Sequence, residues 1–183
     1  KSAIERGSKI NLALALPALV GGVILSQQII TTLYTEAYSP AIPSFIILLI
    51  TFLLVAPSAA INVVILAYNQ QRWFLKFFVL VFLINITLNL ILIPTFGIVG
   101  AALATLTSQT VSTFFLFIGT RRFVHYSILS GLSRILAATI IMAGVVFLLL
   151  NIVTSLVVLV GVGAISYVLA LFVLKEPLVS ELL

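Results

Sequence analysis

The sequence has no cysteine and very little charge of either sign. Among its 183 residues, four are acidic, nine are Lys or Arg and one is His. Charged residues make up 7% of the chain, whereas a soluble domain is typically about a quarter charged. The absence of cysteine excludes disulfides, thiolate metal sites and cysteine nucleophiles, but it says nothing about the compartment.

The few titratable residues are also in the wrong places for catalysis. Glu5, Glu36, Glu176, Glu181 and His125 all fall outside the long apolar segments of the chain. Enzymes need paired carboxylates, metal ligands or a nucleophile beside a base. The sequence therefore predicts no catalytic residue, no metal site and no cofactor. The lack of buried charge also argues against a complete proton or cation pathway within these segments.

What fills the sequence instead is apolar surface. Hydrophobic residues make up 63% of the chain, and the mean hydropathy is +1.38. Six stretches are long enough to cross a bilayer as helices, which takes about 20 residues. None shows the period-two alternation of a membrane β-strand. We therefore predict an all-α, polytopic membrane protein with six transmembrane helices, at about 10–34, 44–69, 73–94, 97–120, 132–152 and 154–174.

The basic residues predict the orientation of these helices. All nine fall in segments on one side of the predicted bilayer: Lys1, Arg6, Lys9, Arg72, Lys76, Arg121, Arg122, Arg134 and Lys175. Because cytoplasmic loops carry the excess of Lys and Arg, both ends of the chain are predicted to be cytoplasmic, in an inner (plasma) membrane. The basic residues are spread over several short segments rather than gathered in one patch, so the expected partner is the lipid bilayer and not a nucleic acid.

Polar side chains without charge occur at membrane depth. Asn62, Asn85, Asn89 and Gln109 are the amides among them. In one interpretation they form hydrogen bonds between helices, which contribute about 0.6 kcal/mol each on average. In the other they line a hydrated substrate cavity, because many amides facing lipid would be costly. Both interpretations stay open for individual residues, and the density of the set favours a cavity.

Three prolines lie in or at the ends of the predicted spans. Pro17 and Pro57 fall inside the first and second spans, where each removes a backbone hydrogen bond and favours a kink. Such kinks serve as bending points in transporters or as fixed structural bends. Pro94, with Gly97, marks a short turn between the third and fourth spans, which are therefore predicted to be antiparallel neighbours.

Small residues follow this turn at helical spacing. Gly100, Ala104, Ser108 and Ser112 are four residues apart and share one helix face. Such a face lets two helix backbones approach closely in a membrane. We predict that it packs against a neighbouring helix.

The order of these features resembles the C-terminal part of the multidrug/oligosaccharidyl-lipid/polysaccharide flippase superfamily, especially its polysaccharide-transporter branch. The segments LALPALVGGVILSQQIITTLY, TEAYSPA and ILAYNQQRWFLK carry part of the resemblance. The most specific part is N-x-x-LIP-x-x-G-x-x-GAA-x-AT, present here as Asn89, Leu92-Ile93-Pro94, Gly97, Gly100-Ala101-Ala102 and Ala104-Thr105, with Asn85 one turn earlier. The resemblance covers nearly the whole chain, but only about half of a family member.

The resemblance implies a MATE-like fold in which residues 1–121 form four helices of a C-terminal lobe and residues 122–183 a cytoplasmic loop, two additional helices and a short tail. It implies transport of polyprenyl-linked oligosaccharides by alternating access, together with the N-terminal half of the same transporter. The alternatives are a multidrug or cation antiporter of the same superfamily, a non-transporting membrane subunit and, more remotely, a lipid glycosyltransferase.

Overall fold

The computed structural model describes residues 2–123 and 132–176, with side chains from residue 4 onward; His125 and Glu181 lie outside these ranges. The described residues form helices and no strand. They are α1 (Ser2–Ile24), α2 (Ser26–Tyr34), a 3-10 helix (Glu36–Ala41), α3 (Ile42–Val55), α4 (Ser58–Ala67), α5 (Gln71–Phe96), α6 (Ile98–Arg121), α7 (Ser133–Leu149) and α8 (Leu156–Val173). The predicted all-α fold is confirmed.

Five segments among the described residues are long and apolar enough to cross a bilayer. They are Ile4–Ile24, Glu36–Val55, Gln71–Phe96, Ile98–Arg121 and Leu156–Val173. The protein is therefore a multi-pass membrane protein, as predicted. The remaining predicted span corresponds to α7, whose 17 residues match the lower end of the length of a transmembrane helix.

The first two predicted spans are each divided in the structure. The first consists of α1 and α2, which meet at Leu25, whereas Pro17 lies inside the continuous helix α1. The second is divided between α3 and α4, and Pro57 lies at that division as the residue before α4. Of the two prolines proposed as kinks, Pro57 thus coincides with a helix break and Pro17 does not.

The carbonyl that Pro17 leaves without its helical donor has another partner. Proline has no N–H, so the carbonyl of Ala13, four residues earlier, cannot accept the usual helical bond. The hydroxyl of Tyr167 in α8 donates to this carbonyl at 2.6 Å. A neighbouring helix thus satisfies the carbonyl, which is how membrane helices tolerate proline.

The turn between α5 and α6 is tighter than the sequence predicts. Pro94 does not end the third span: it lies in the last turn of α5, and the connection is the single residue Gly97 rather than about four residues. The helix continues past Pro94 because the amide of Gly97 still donates to the carbonyl of Ile93 at 2.8 Å. Gly97 ends the helix, with φ of +57°, a backbone conformation that glycine adopts without strain.

The chain divides into two units, and each has its own buried cluster. The first comprises Lys1–Leu12 and Pro43–Ile128, and the second Ala13–Ile42 and Leu129–Leu183. In the first unit, the cluster consists of Ile61, Ile65, Phe74 and Leu116. In the second, Ala13 and Leu25 pack with residues of α7 and α8, which include Met142, Val146 and Leu159. The division at residue 121 that the family resemblance implies stays a prediction.

Candidate functional site

Helices α5 and α6 form an antiparallel pair that is in contact from the turn to the open end. The two helices stay in register along their length, so that residues further along α5 contact residues nearer the start of α6. Near the open end, Trp73 and Phe74 lie beside Gly119. Further along, the rings of Phe77 and Phe115 are 4.6 Å apart between centroids. This pair carries most of the predicted site residues.

The backbones of the two helices are in close contact at Gly100, one turn after Gly97. A Cβ atom placed on Gly100 would lie 2.5 Å from the carbonyl carbon of Leu92, closer still to its oxygen, and 3.0 Å from the amide nitrogen of Ile93. These are backbone atoms, which cannot rotate away as a side chain could. The packing face continues through Ala104 and Ser108, which are 0% and 2% exposed.

The amides of Asn85 and Asn89 belong to one hydrogen-bonded group at this contact. Asn85 donates from Nδ2 to Oγ of Ser108 at 2.9 Å, which joins α5 to α6. Asn89 donates from Nδ2 to the backbone carbonyl of Asn85 at 2.9 Å and to its Oδ1 at 3.1 Å. Asn85 therefore connects the two helices and also accepts from Asn89. Both residues are partly buried.

Most hydroxyl groups at membrane depth are satisfied by their own helix. Each donates to a carbonyl four residues earlier at 2.6–2.9 Å; they belong to Thr87, Thr105, Thr107, Ser108, Thr110, Thr120 and Thr139. Such a local bond lets a threonine face lipid without an unsatisfied group. The number of hydroxyls in α6 thus does not by itself require a cavity.

The other two predicted cavity residues lie elsewhere in the first unit. Gln109 follows Ser108 in α6 and is partly buried. Asn62 is exposed on α4, where it lines a groove of about 460 Å³ together with residues of α5. The structure thus joins Asn85, Asn89 and Ser108 by hydrogen bonds and places Asn62 at a separate groove.

Two features of these units escaped the sequence analysis. Gly119 continues the small face of α6, seven residues after Ser112, and a Cβ there would lie 3.1 Å from the indole of Trp73. Extending the small-residue pattern by two turns would have found it. Glu176 follows the last predicted span, and it is 1% exposed just after α8. Nothing in the spacing of the sequence signals that burial.

Comparison with known proteins identifies the family of this chain. The family model described as lipid II flippase MurJ matches residues 1–169. The chain belongs to the MurJ lipid II flippase family. It is also 32% identical, over 113 residues, to the probable low-salt glycan biosynthesis flippase Agl15 of Haloferax volcanii. That match covers 62% of this chain and 24% of the relative, so the chain corresponds to about a quarter of the relative's length.

Family membership confirms the resemblance stated from the sequence at the level of flippases for lipid-linked substrates. Such flippases are transporters and not enzymes, as the absence of catalytic groups predicted. A lipid-linked substrate and a bilayer are accordingly the partners of the family.

Proposed function

We propose that this chain is the C-terminal part of an inner-membrane transporter that moves polyprenyl-linked oligosaccharides across the bilayer for polysaccharide or O-antigen biosynthesis. Transport occurs by alternating access, and the N-terminal half of the same transporter forms the other side of the substrate path. The observation that carries the proposal is the family match over residues 1–169. The scarcity of charge at membrane depth in this chain agrees with charged substrate contacts in that other half.

In this proposal α5 and α6 form a stiff hairpin within the moving lobe. The close contact at Gly100 and the bond from Asn85 to Ser108 hold the two helices together. The oligosaccharide contacts come from the amides of Asn89 on α5 and Gln109 on α6. Asn89 uses its Nδ2 in bonds to Asn85, which leaves Oδ1 to accept from a sugar hydroxyl.

Complementation of a flippase-deficient strain tests this function. We expect the whole protein, as its cell makes it, to restore surface polysaccharide and to prevent accumulation of the lipid-linked precursor. Asn89→Leu and Gln109→Leu should reduce the restoration while the amount of protein in the membrane stays the same. As a matched control, Thr107→Leu replaces an exposed polar residue of α6 whose hydroxyl bonds only its own helix, and it should restore fully.

Restored drug resistance without polysaccharide would instead favour a multidrug or cation antiporter. Failure of the whole protein with every lipid-linked precursor would favour a non-transporting subunit. If Thr107→Leu and Asn89→Leu reduce restoration equally, the amides do not contact the substrate. That result would not affect the proposed transport function.

The proposed orientation places both ends of the chain in the cytoplasm. Because the chain has no cysteine, single cysteines introduced into it report accessibility directly. We expect a membrane-impermeant maleimide to label Ala37→Cys, in the 3-10 helix, on intact cells, and Gln71→Cys, at the start of α5, only after permeabilisation. The opposite pattern would invert the topology, and labelling of both on intact cells would contradict the number of crossings between them.

A further inference from the structure

A groove on the first unit is lined by basic, amide and apolar side chains. It lies between α4 and the beginning of α5 and has a volume of about 460 Å³. Its floor is apolar and buried, since Phe74 is 1% and Ile65 7% exposed. Its walls are apolar and open, since Leu66 and Leu75 are each 63% exposed. The groove therefore offers an apolar channel that is accessible from the side of the helices.

Positive charge lies at the end of the helices where this groove begins. Arg72 lines it directly, and it shares the open end of the α5–α6 hairpin with Lys76, Arg121 and Arg122. The sequence contains no Asp or Glu between residues 43 and 123. The acidic residue of this unit outside that segment is Glu5 in α1, against seven Lys and Arg, so the unit carries an excess of positive charge and an anionic group is a suitable counterpart.

Aromatic residues mark the same end as the membrane–water interface. Tyr68 and Trp73 are 46% and 47% exposed, and the ring of Tyr68 lies 5.1 Å from that of Phe123 between centroids. Exposed tyrosine and tryptophan collect at the level of lipid headgroups. We therefore expect Arg72, the residue before Trp73, to lie at the level of the phosphate groups.

The groove runs from this level into the hydrocarbon region. Phe78 lies six residues after Arg72 on α5, about 9 Å deeper at about 1.5 Å per residue. On α4, Asn62 lies five residues before the end of the helix, about 7 to 8 Å deeper by the same rise. The amide of Asn62 thus lies deeper than Arg72, among apolar side chains. At this depth a phospholipid carries the ester oxygens that link glycerol to its hydrocarbon chains.

We propose that this groove binds an anionic phospholipid of the bilayer, with the phosphate at Arg72, a glycerol-linkage oxygen at Asn62 and one hydrocarbon chain along Phe74, Leu75 and Phe78. The order of cation, amide and apolar wall matches the order of groups in such a lipid. An apolar helix packed here would cover the walls but would supply no counter-charge to Arg72. The site lies along the first turns of α5 and does not include Asn89 or Gln109, the residues of the proposed substrate path.

Lipid binding to the whole protein tests the site. Native mass spectrometry in detergent, with phosphatidylglycerol as the probe, should show retained lipid in the wild-type protein. Arg72→Gln should weaken this binding about tenfold or more, the scale expected for loss of a charge-assisted hydrogen bond. Lys76→Gln is the matched control: it removes the same charge one turn further along α5, outside the groove lining, and should change binding less than about twofold.

A photoreactive phosphatidylglycerol, with its reactive group in the hydrocarbon chain, locates the bound lipid independently of any variant. We expect cross-links to peptides containing residues 62–66 and 74–78. Equal weakening by Arg72→Gln and Lys76→Gln would mean diffuse surface attraction and would overturn the site. Absence of cross-links there would mean that another protein segment or a second copy covers the groove. Displacement by a polyprenyl diphosphate, but not by excess phosphatidylglycerol, would reassign the groove to the transported lipid.

Discussion

Gly100→Ala is expected to destabilise the protein more than the same change at Gly119 or Gly144. The added methyl would lie 2.5 Å from the carbonyl carbon of Leu92 and 3.0 Å from the amide nitrogen of Ile93. Because neither backbone atom can rotate away, α5 and α6 must move apart. Overpacking of this kind costs about 1–3 kcal/mol. Thermal unfolding of the whole protein in detergent measures the change.

Two other glycines provide graded controls for this prediction. At Gly119 the nearest atoms belong to the rings of Trp73 and Phe74, at 3.1–3.3 Å, and these side chains can shift. At Gly144 in α7 nothing lies within 4 Å of the added atom. We expect the destabilisation to decrease from Gly100 through Gly119 to Gly144, with the last within about 0.5 kcal/mol of wild type. Equal stability of the Gly100 and Gly144 variants would contradict the close contact of α5 with α6.

Tyr167→Phe is expected to have the second largest effect. The change removes only the hydroxyl that donates to the carbonyl of Ala13 at 2.6 Å. Pro17 cannot supply the missing helical donor, so that carbonyl would stay unsatisfied in a buried, apolar surrounding. The expected loss is about 1–3 kcal/mol. Tyr38→Phe, at an exposed position before α3, removes the same group and should change stability by less than about 0.5 kcal/mol.

A double-mutant cycle with Pro17→Ala tests whether the hydrogen bond from Tyr167 stabilises the protein because Pro17 lacks an amide donor. Alanine at position 17 restores an amide that can donate to the carbonyl of Ala13. In that background, Tyr167→Phe should cost markedly less than in the wild type, so that the two changes are not additive. Additive effects would mean that Tyr167 stabilises α8 for a reason unrelated to Pro17.

The sequence predicted the parts of the fold that depend on local pattern. Apolar length predicted the membrane segments, and the spacing of Gly100, Ala104 and Ser108 predicted a packing face, of which Gly100 lies against the backbone of α5 and Ser108 is hydrogen-bonded to that helix. The end of α5 was predicted less well, because proline removes one hydrogen bond but does not stop the amides beyond it. Only the positive φ of Gly97 ends that helix.

The sequence supplies the candidate residues of the site but not their arrangement. The sequence shows that Asn85 and Asn89 share a helix face, but not that Ser108 of α6 lies opposite at 2.9 Å. It also cannot show that Asn62 lies in a groove beside Arg72, or that Tyr167 reaches Ala13, 154 residues away. Such contacts depend on how helices pack, which is a property of pairs of segments rather than of one segment.

The most direct test of the central claim is lipid translocation by the whole protein in vesicles. A fluorescent polyprenyl-diphosphate oligosaccharide is placed in both leaflets, and an impermeant reductant is added outside, with and without an imposed ion gradient. We expect that label in the inner leaflet becomes accessible with wild-type protein under at least one gradient, and that Gly100→Ala slows this transfer more than Gly144→Ala. If the inner-leaflet label stays protected under every gradient, as in vesicles without protein, the chain is not part of a flippase for this class of lipid.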